Sequence, residues 1–494
     1  MTGSAPSARI SALFAAATFA FAFAAAPRAE AQEPIASNRY SLDFFQGASL
    51  APIRVIGIGG AYAGVADGIS GFVSNASSPA LRDPSSSKWV ELDAAVSLSL
   101  PLVLFERSDF DNSGRIDQSY TDFIYVATGG LLQLGPFGAG FIADAQRYTL
   151  TSGGVRTDVN IARAHVLAAW SFFGGQLHLG AGARIGGMLL QTADTELTML
   201  GAAPELGFLI RPDWKSFRIG ATFRMPVEAG ELGSPQLRVD NGVRKAGGFI
   251  LPERVVWPWE LEVGIAVQVG PRPFNPQWIN PHDQEAQYRA LQDLERRRRE
   301  AARALELSNL SDATERRLRA KEHEEARARE AVEDERAFEK AANALQKERQ
   351  ARYANWPREM LLVTAELLVT GDVPRGVGLE GFLGQNTAVG TPGAIVGSSG
   401  GEVNFSPRFG IETEPIPGLV HTRFGSYYEP RRLAPSETDG AIGVGRQHFT
   451  FGADLRVLTT TFWGLVPEIT YTLQASVDIA PRYESFSVGI GNWK

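Results

Sequence analysis

The sequence predicts an all-β transmembrane antiparallel barrel of about fourteen strands. An N-terminal plug fills its lumen, and a coiled-coil-like α-helical hairpin is inserted between two strands. Three observations carry this: an export signal, repeated long segments in which polar and apolar residues alternate, and aromatic residues gathered near the ends of those segments. The 494 residues suit two or three soluble domains or one large barrel. With 44% hydrophobic and 21% charged residues, wholesale disorder is disfavoured. The absence of cysteine removes disulfides, thiolate nucleophiles and Cys-ligated metals. A net charge of −7 counts against nucleic acid as a partner, since such partners select a basic field.

Residues 1–31 read as a cleaved signal peptide. Arg9 supplies the positive start, Ile10 to Ala26 the apolar run, and Ala29-Glu30-Ala31 the small residues before a cut at Gln32. The absence of a cysteine after the apolar run excludes a lipoprotein. Residues 32–88 do not alternate; they are rich in small residues and are expected to pack as a plug, or hatch, inside the lumen. Alternation begins at Trp89, where Val90, Leu92, Ala94, Val96, Leu98 and Leu100 oppose Glu91, Asp93, Ser97 and Ser99. Similar segments are predicted at 120–134, 136–150, 157–173, 175–191, 201–212, 215–226, 254–271, 358–371, 403–414, 417–430, 443–458, 466–479 and 482–493. Their length exceeds the ~5–6 residues usual for globular strands, and acids and arginines on the polar face suit an aqueous lumen. Trp89, Tyr120, Tyr148, Trp214, Trp257, Trp259, Tyr427, Tyr428, Trp463 and Tyr483 are candidates for the aromatic girdles at the headgroups. The expected location is the outer membrane of a Gram-negative cell, with membrane lipid around the barrel. The first eight strands span 89–271 and the last six 358–494.

Gly57-Ile58-Gly59-Gly60-Ala61-Tyr62-Ala63-Gly64-Val65-Ala66-Asp67 resembles the Gly-x-Gly-Gly-Ala-hydrophobic-Ala-x-Ala-Asp stretch of FadL-type outer-membrane transporters of long-chain fatty acids and other hydrophobic compounds. That family follows the stretch with Asn-Pro-Ala. Here Asn75 stands at the corresponding distance, but Ala76 follows it, and Pro79-Ala80 comes three residues later. The resemblance implies uptake of fatty acids, hydrocarbons or aromatics through a plugged barrel, with a ligand pocket above the hatch. Phe44, Phe45 and Leu50 would meet the ligand or pack the hatch, and Gly57, Gly59, Gly60, Asp67, Asn75 and Pro79 would shape it. The alternative is a non-transporting barrel that docks exported or periplasmic proteins, as in the related type IX secretion shuttle barrels.

Between the eighth and ninth strands, residues 272–357 form a charged insertion. Positions 283–354 hold 17 Lys/Arg and 17 Asp/Glu and lack glycine and proline, a helix-forming composition. Asp312 and Glu315, placed as N-cap and third helical residue, predict a second helix after a break at Ser308 to Ser311. A thin apolar stripe (Leu291, Leu294, Ala301, Leu305; Leu318, Val332, Phe338, Leu345) is the expected seam between the two helices. Strand parity places this arm in the periplasm, facing a periplasmic protein or the cell wall. In the first outer loop, Asp109, Asp111, Ser113 and Asp117 occupy positions 1, 3, 5 and 9 of an EF-hand-like pattern with Gly114 at 6, which points to Ca2+ as a metal ligand; Tyr120 replaces the usual bidentate glutamate. No other cofactor is expected. Six scattered histidines, with no nucleophile elbow and no HExxH, give no enzyme signature.

Overall fold

The computed structural model describes residues 35–47, 51–83, 86, 88–101, 109, 112, 119–152, 155–230, 232–385, 398–433, 445–460 and 469–492. The signal segment 1–31 lies outside them. Fourteen antiparallel strands form a closed barrel. They are β1 (Val90–Pro101), β2 (Ser119–Leu134), β3 (Phe137–Ser152), β4 (Val155–Phe172), β5 (Leu177–Gln191), β6 (Glu196–Ile210), β7 (Phe217–Arg224), β8 (Glu260–Val269), β9 (Leu361–Thr370), β10 (Asn404–Ile416), β11 (Val420–Glu429), β12 (Arg446–Thr460), β13 (Ile469–Ala480) and β14 (Tyr483–Asn492). Neighbours in sequence are neighbours in the wall, and β14 pairs with β1 to close it, Val96 opposite Ile490.

Alternation decides which side each residue faces. On β8, Val263, Ile265, Val267 and Val269 point outward while Glu262, Ala266 and Gln268 are buried. The same parity exposes Leu92, Val166, Trp170, Leu200, Phe405 and Phe451 on the outside. It turns Asp144, Glu205, Arg224, Glu366, Arg423 and Asp478 inward. An apolar exterior around a polar interior is the arrangement that lipid outside and water inside select.

Short turns close both ends of the wall: Pro481 and Arg482 alone join β13 to β14 at one end, and several short turns lie at the other. Gly135 (φ +56°) joins β2 to β3, and a Cβ there would fall 2.6 Å from the Trp89 indole nitrogen, so only glycine fits. The turns at Gly174 and Trp214 share this end, which we call the arm end because the helical insertion leaves from it. Short α1 (Ile53–Gly57) belongs to the lumenal segment; α2 (Pro281–Asn309) and α3 (Ala313–Ala354) form the arm. Asn280 caps α2 by accepting from His282 N (3.1 Å), and Asp312 caps α3 by accepting from Thr314 N (3.0 Å). The expected seam is present only in part: Leu291, Leu294, Leu305, Leu318 and Val332 are exposed, while Phe338 and Leu345 are half-buried and Phe338 meets the Tyr288 ring across the pair (6.2 Å). Polar side chains make most of the join, Arg299 to Asp334 at 2.7 Å, Arg289 to Glu335 at 3.5 Å and His323 to Glu306 at 3.1 Å. A four-residue apolar stripe is too thin to outweigh so dense a set of opposite charges.

Two further departures concern the far end. The predicted eighth strand, 254–271, divides because Pro258 carries no N–H for the ladder. Arg254–Trp257 leaves the wall and joins a five-stranded sheet in the order Ser398–Ser399, Gly376–Gly378, Ser41–Asp43, Arg254–Trp257, Val227–Ala229. Ser41–Asp43, in a segment expected to contain no strand, pairs in parallel with both its neighbours. This sheet packs on inward-facing Tyr125, Tyr148, Leu190 and Met199 in one apolar cluster. Trp257, Tyr148, Tyr427 and Tyr483 are therefore buried inside rather than set in a girdle; Trp463 lies outside the described residues.

Candidate functional site: the plugged lumen

Residues 51–83 lie inside the barrel between the far-end sheet and the arm end, with almost no solvent exposure. This backbone is mostly irregular, so its polar groups need partners from the wall. Glu366 accepts from Ala63 N (2.7 Å), Thr222 Oγ1 accepts from Ala76 N (3.0 Å), and Thr364 Oγ1 donates to the Ala61 carbonyl (2.9 Å). Gln133 donates to the Pro79 carbonyl (2.9 Å), which places Pro79, in the short turn Ser78–Ala80, against β2 and β3.

The expected glycines sit where the plug touches the wall. A Cβ on Gly59 (φ +66°) would lie 2.6 Å from Ser426 N, on Gly60 3.0 Å from the Arg408 guanidinium, and on Gly57 3.1 Å from Gly452 Cα. The wall answers with its own inward glycines: Gly180 and Gly220 lie against the Ala76 and Ala63 carbonyls, Gly264 against Gly64, and Gly425 against Gly59. Small residues on both sides let two backbones approach to contact. Only the plug half of this was flagged by its sequence; the wall glycines sit on predicted inward positions and parity alone would have found them.

Asn75 is buried and uses every polar atom. Its Nδ2 donates to the carbonyls of Ala63 (2.8 Å) and Phe208 (3.0 Å), and its Oδ1 accepts from Ser77 N (2.9 Å) and Ser77 Oγ (2.8 Å). Asp67 meets Arg218 at 2.7 Å and Arg54 at 3.6 Å. Burial opposes ionisation of the Asp67 carboxyl, but these two guanidiniums outweigh it and hold the group below the usual aspartate range.

Charged pairs that residue-by-residue reading passed over line the lumen. Arg423 joins Glu412 (2.5 Å) and Asp454 (2.6 Å); Arg224 joins Glu205 (3.2 Å) and Glu262 (3.0 Å); Arg163 joins Asp144 (2.8 Å). Glu412 and Arg423 are directly opposite in the β10–β11 register, as are Asp144 and Arg163 in β3–β4 and Glu366 and Arg408 in β9–β10. Aligning the predicted hairpins would have exposed these cross-strand pairs.

Among the described residues, cavities flank the plug on either side. One of about 160 Å³, on the arm side, is lined by Arg54, Asp67, Arg218, Phe274, Glu412 and His421 among others. The other, about 120 Å³, lies between plug and far-end sheet. Its walls carry Arg163, Arg184, Arg224, Glu260, Glu262 and Arg408, while Phe45, Val227 and Trp257 are the apolar contribution. The space above the hatch is thus charged at its walls rather than apolar throughout. Phe44 is buried edge-on against Trp257 (5.1 Å between centroids), Phe45 borders the cavity under Arg432 (4.8 Å), and Leu50 lies outside the described residues.

Of the calcium pattern, Asp111, Ser113 and Asp117 lie outside the described residues. Asp109 is buried: its N–H donates to the Arg482 carbonyl (2.8 Å) and its carbonyl accepts from Arg446.

No protein-family model and no curated protein matches the sequence. Solved structures similar in fold include the Ralstonia pickettii toluene transporter TbuX (10% identity, 90% of this chain and 99% of that one, TM-score 0.45). Others are a Pseudomonas aeruginosa FadL homologue (9%, 92% and 97%, 0.42) and the monoaromatic hydrocarbon channel CymD (8%, 89% and 97%, 0.41). The likeness to these three structures is one of overall architecture.

Proposed function

We propose that this chain is an outer-membrane channel that admits hydrophobic small molecules through its lumen, with residues 51–83 as the gate. The observation that supports this most is the plug itself: a closed, lipid-facing barrel holds in its lumen a segment packed glycine against glycine, with a cavity on either side. Passage of a solute past a segment packed this closely requires it to move. The motif around Gly57–Asp67 supports the hydrophobic class of cargo through its resemblance to FadL-type transporters, in which solutes poorly soluble in water cross a membrane whose outer leaflet resists them. Phe45, Val227 and Trp257 would meet the apolar part of a solute in the far-side cavity.

The test is uptake of a radiolabelled long-chain fatty acid, an alkane and a monoaromatic by a deletion strain with and without the restored gene. Restored uptake of at least one class is expected. Unchanged uptake of all three overturns the reading.

A further inference from the structure

We propose that the segment rooting the arm, residues 270–282, is a latch on the plug, so that a partner drawing the arm away from the barrel releases the gate; this deepens the reading above and rests on it.

A turn of two or three residues would suffice to connect two neighbouring wall strands. Here eleven residues, 270–280, separate β8 from α2, and they pass beneath the plug. The first point of attachment is Arg218 on β7. Its Nη1 donates to the Val65 carbonyl (2.8 Å) and to Asp67 (2.7 Å), both in the plug. Its Nε donates to Asn275 Oδ1 (2.8 Å) and its Nη2 to the Phe274 carbonyl (3.0 Å), both in the latch. One guanidinium therefore ties plug, wall and latch together, and it lies 4.0 Å above the Phe274 ring.

Phe274 is the second. It is buried in the same apolar cluster as Val55, Ile56, Tyr62 and Val65, so the latch supplies part of the plug's own core. The third is Arg82, where the plug leaves for β1. Its guanidinium stands 4.6 Å over the Trp278 ring, and Trp89 stacks on His282 (4.8 Å, 15°). His282 is already in the first turn of α2, and Asn280 caps that helix, so no flexible spacer separates the latch from the arm. The ion pairs between α2 and α3 make the arm a paired rod, and the 29 residues of α2 put its tip about 44 Å from the latch. Displacement of a rod of that length is delivered at its root, among the residues that seat the gate.

Coupling of this kind is reciprocal by linkage, which makes it testable without any cargo. Hydrogen exchange followed by mass spectrometry on the purified full-length protein reports protection of the plug and of the latch separately. Phe274→Ala and Trp278→Ala are expected to speed exchange in residues 58–76 by about tenfold, with the wall strands unchanged. Asp67→Asn, which alters only the plug, is expected to speed exchange in 272–282. Leu291→Ala, on the exposed face of the arm, should do neither. In Trp214→Cys/Asn275→Cys, at positions whose backbones are hydrogen-bonded at 2.8 Å, loss of the Asn275 contact to Arg218 is expected to speed plug exchange in the reduced protein, and oxidation, which clamps the latch, to slow it again. Should Phe274→Ala fail to fold, as judged by loss of heat-modifiable migration, Trp278→Ala and the clamp carry the test. Plug protection that ignores Trp278→Ala and the clamp alike overturns the latch. That outcome leaves the uptake result standing, and a failed uptake assay leaves the exchange result standing.

Discussion

At Gly59 the backbone has a φ of +66° and the α-carbon stands against β11, so a side chain meets both a conformational and a steric barrier. Valine there is expected to cost about 1–2 kcal/mol for the left-handed backbone, and overpacking against the wall adds roughly 1–3 kcal/mol. The barrel's own ladder is untouched, so Gly59→Val should fold and remain heat-modifiable while its plug sits loosely. Cells carrying it are expected to become sensitive to a large glycopeptide antibiotic that an intact outer membrane excludes; unaltered sensitivity would mean the close approach does not seat the gate. Asp67 gives a pH-dependent counterpart. Its carboxyl is held below the ordinary aspartate range, so the stabilisation from Arg218 and Arg54 is present above that range and lost as pH falls through the lowered value. Wild type and Asp67→Asn should differ in plug exchange at neutral pH and converge in acid. At this scale the sequence was half legible. The plug glycines declared themselves as a cluster, whereas Arg218 and Arg54 looked like two more charges, because their partners are distant in sequence and meet only when the barrel closes.

The strands were the most legible elements, for a physical reason: lipid on one side and water on the other force a period of two over ten or more residues. Where that constraint lapsed, the reading lapsed too. Ser41–Asp43 is too short to show a period, and Arg254–Trp257 was merged with β8 because its alternation continues across Pro258. The arm was legible as helix from composition, but its seam only in part, since exposed leucines and buried ones look alike in a sequence whose helices are held by charge pairs. Each such pair is worth only a few tenths of a kcal/mol at the surface, and the arm beyond its root makes its contacts within itself. Replacing residues 283–354 with a short Gly/Ser turn is therefore expected to leave a folded, heat-modifiable barrel whose plug is still seated by 270–280. A deletion product that no longer shifts on gels would show that the arm itself supports the wall.

For the whole molecule, the arm leaves from the end that carries the short turns at Gly135, Gly174 and Trp214, and the long connections β1–β2, β7–β8, β9–β10 and β11–β12 all fall at the other end, where the β13–β14 turn at Pro481-Arg482 is short as well. In bacterial single-chain barrels the short turns lie on the periplasmic side, and that orientation is what we propose for this protein. A cysteine placed at exposed Ala328 on α3, in a chain that has none of its own, should resist an impermeant maleimide in intact cells and react once the outer membrane is disrupted. Ready labelling of intact cells would invert the barrel and move the latch to the outer face.

The junction between β1 and β14 acquires a further meaning from what lies inside it. Six residue pairs join these strands, against ten between β1 and β2, and they bring together positions nearly four hundred residues apart. Residues 40–47 and 51–81 lie within the ring that this seam closes, buried against strands around it. A folded turn-and-helix segment bonded to the wall at so many points does not pass readily through a finished ring, so the expected order of assembly is that the lumenal chain lies across the open sheet first and the sheet curls around it. The lumenal residues are thus the mould on which β14 is fitted to β1, and a chain lacking them is expected to close more slowly, as followed by the appearance of heat-modifiable barrel during refolding.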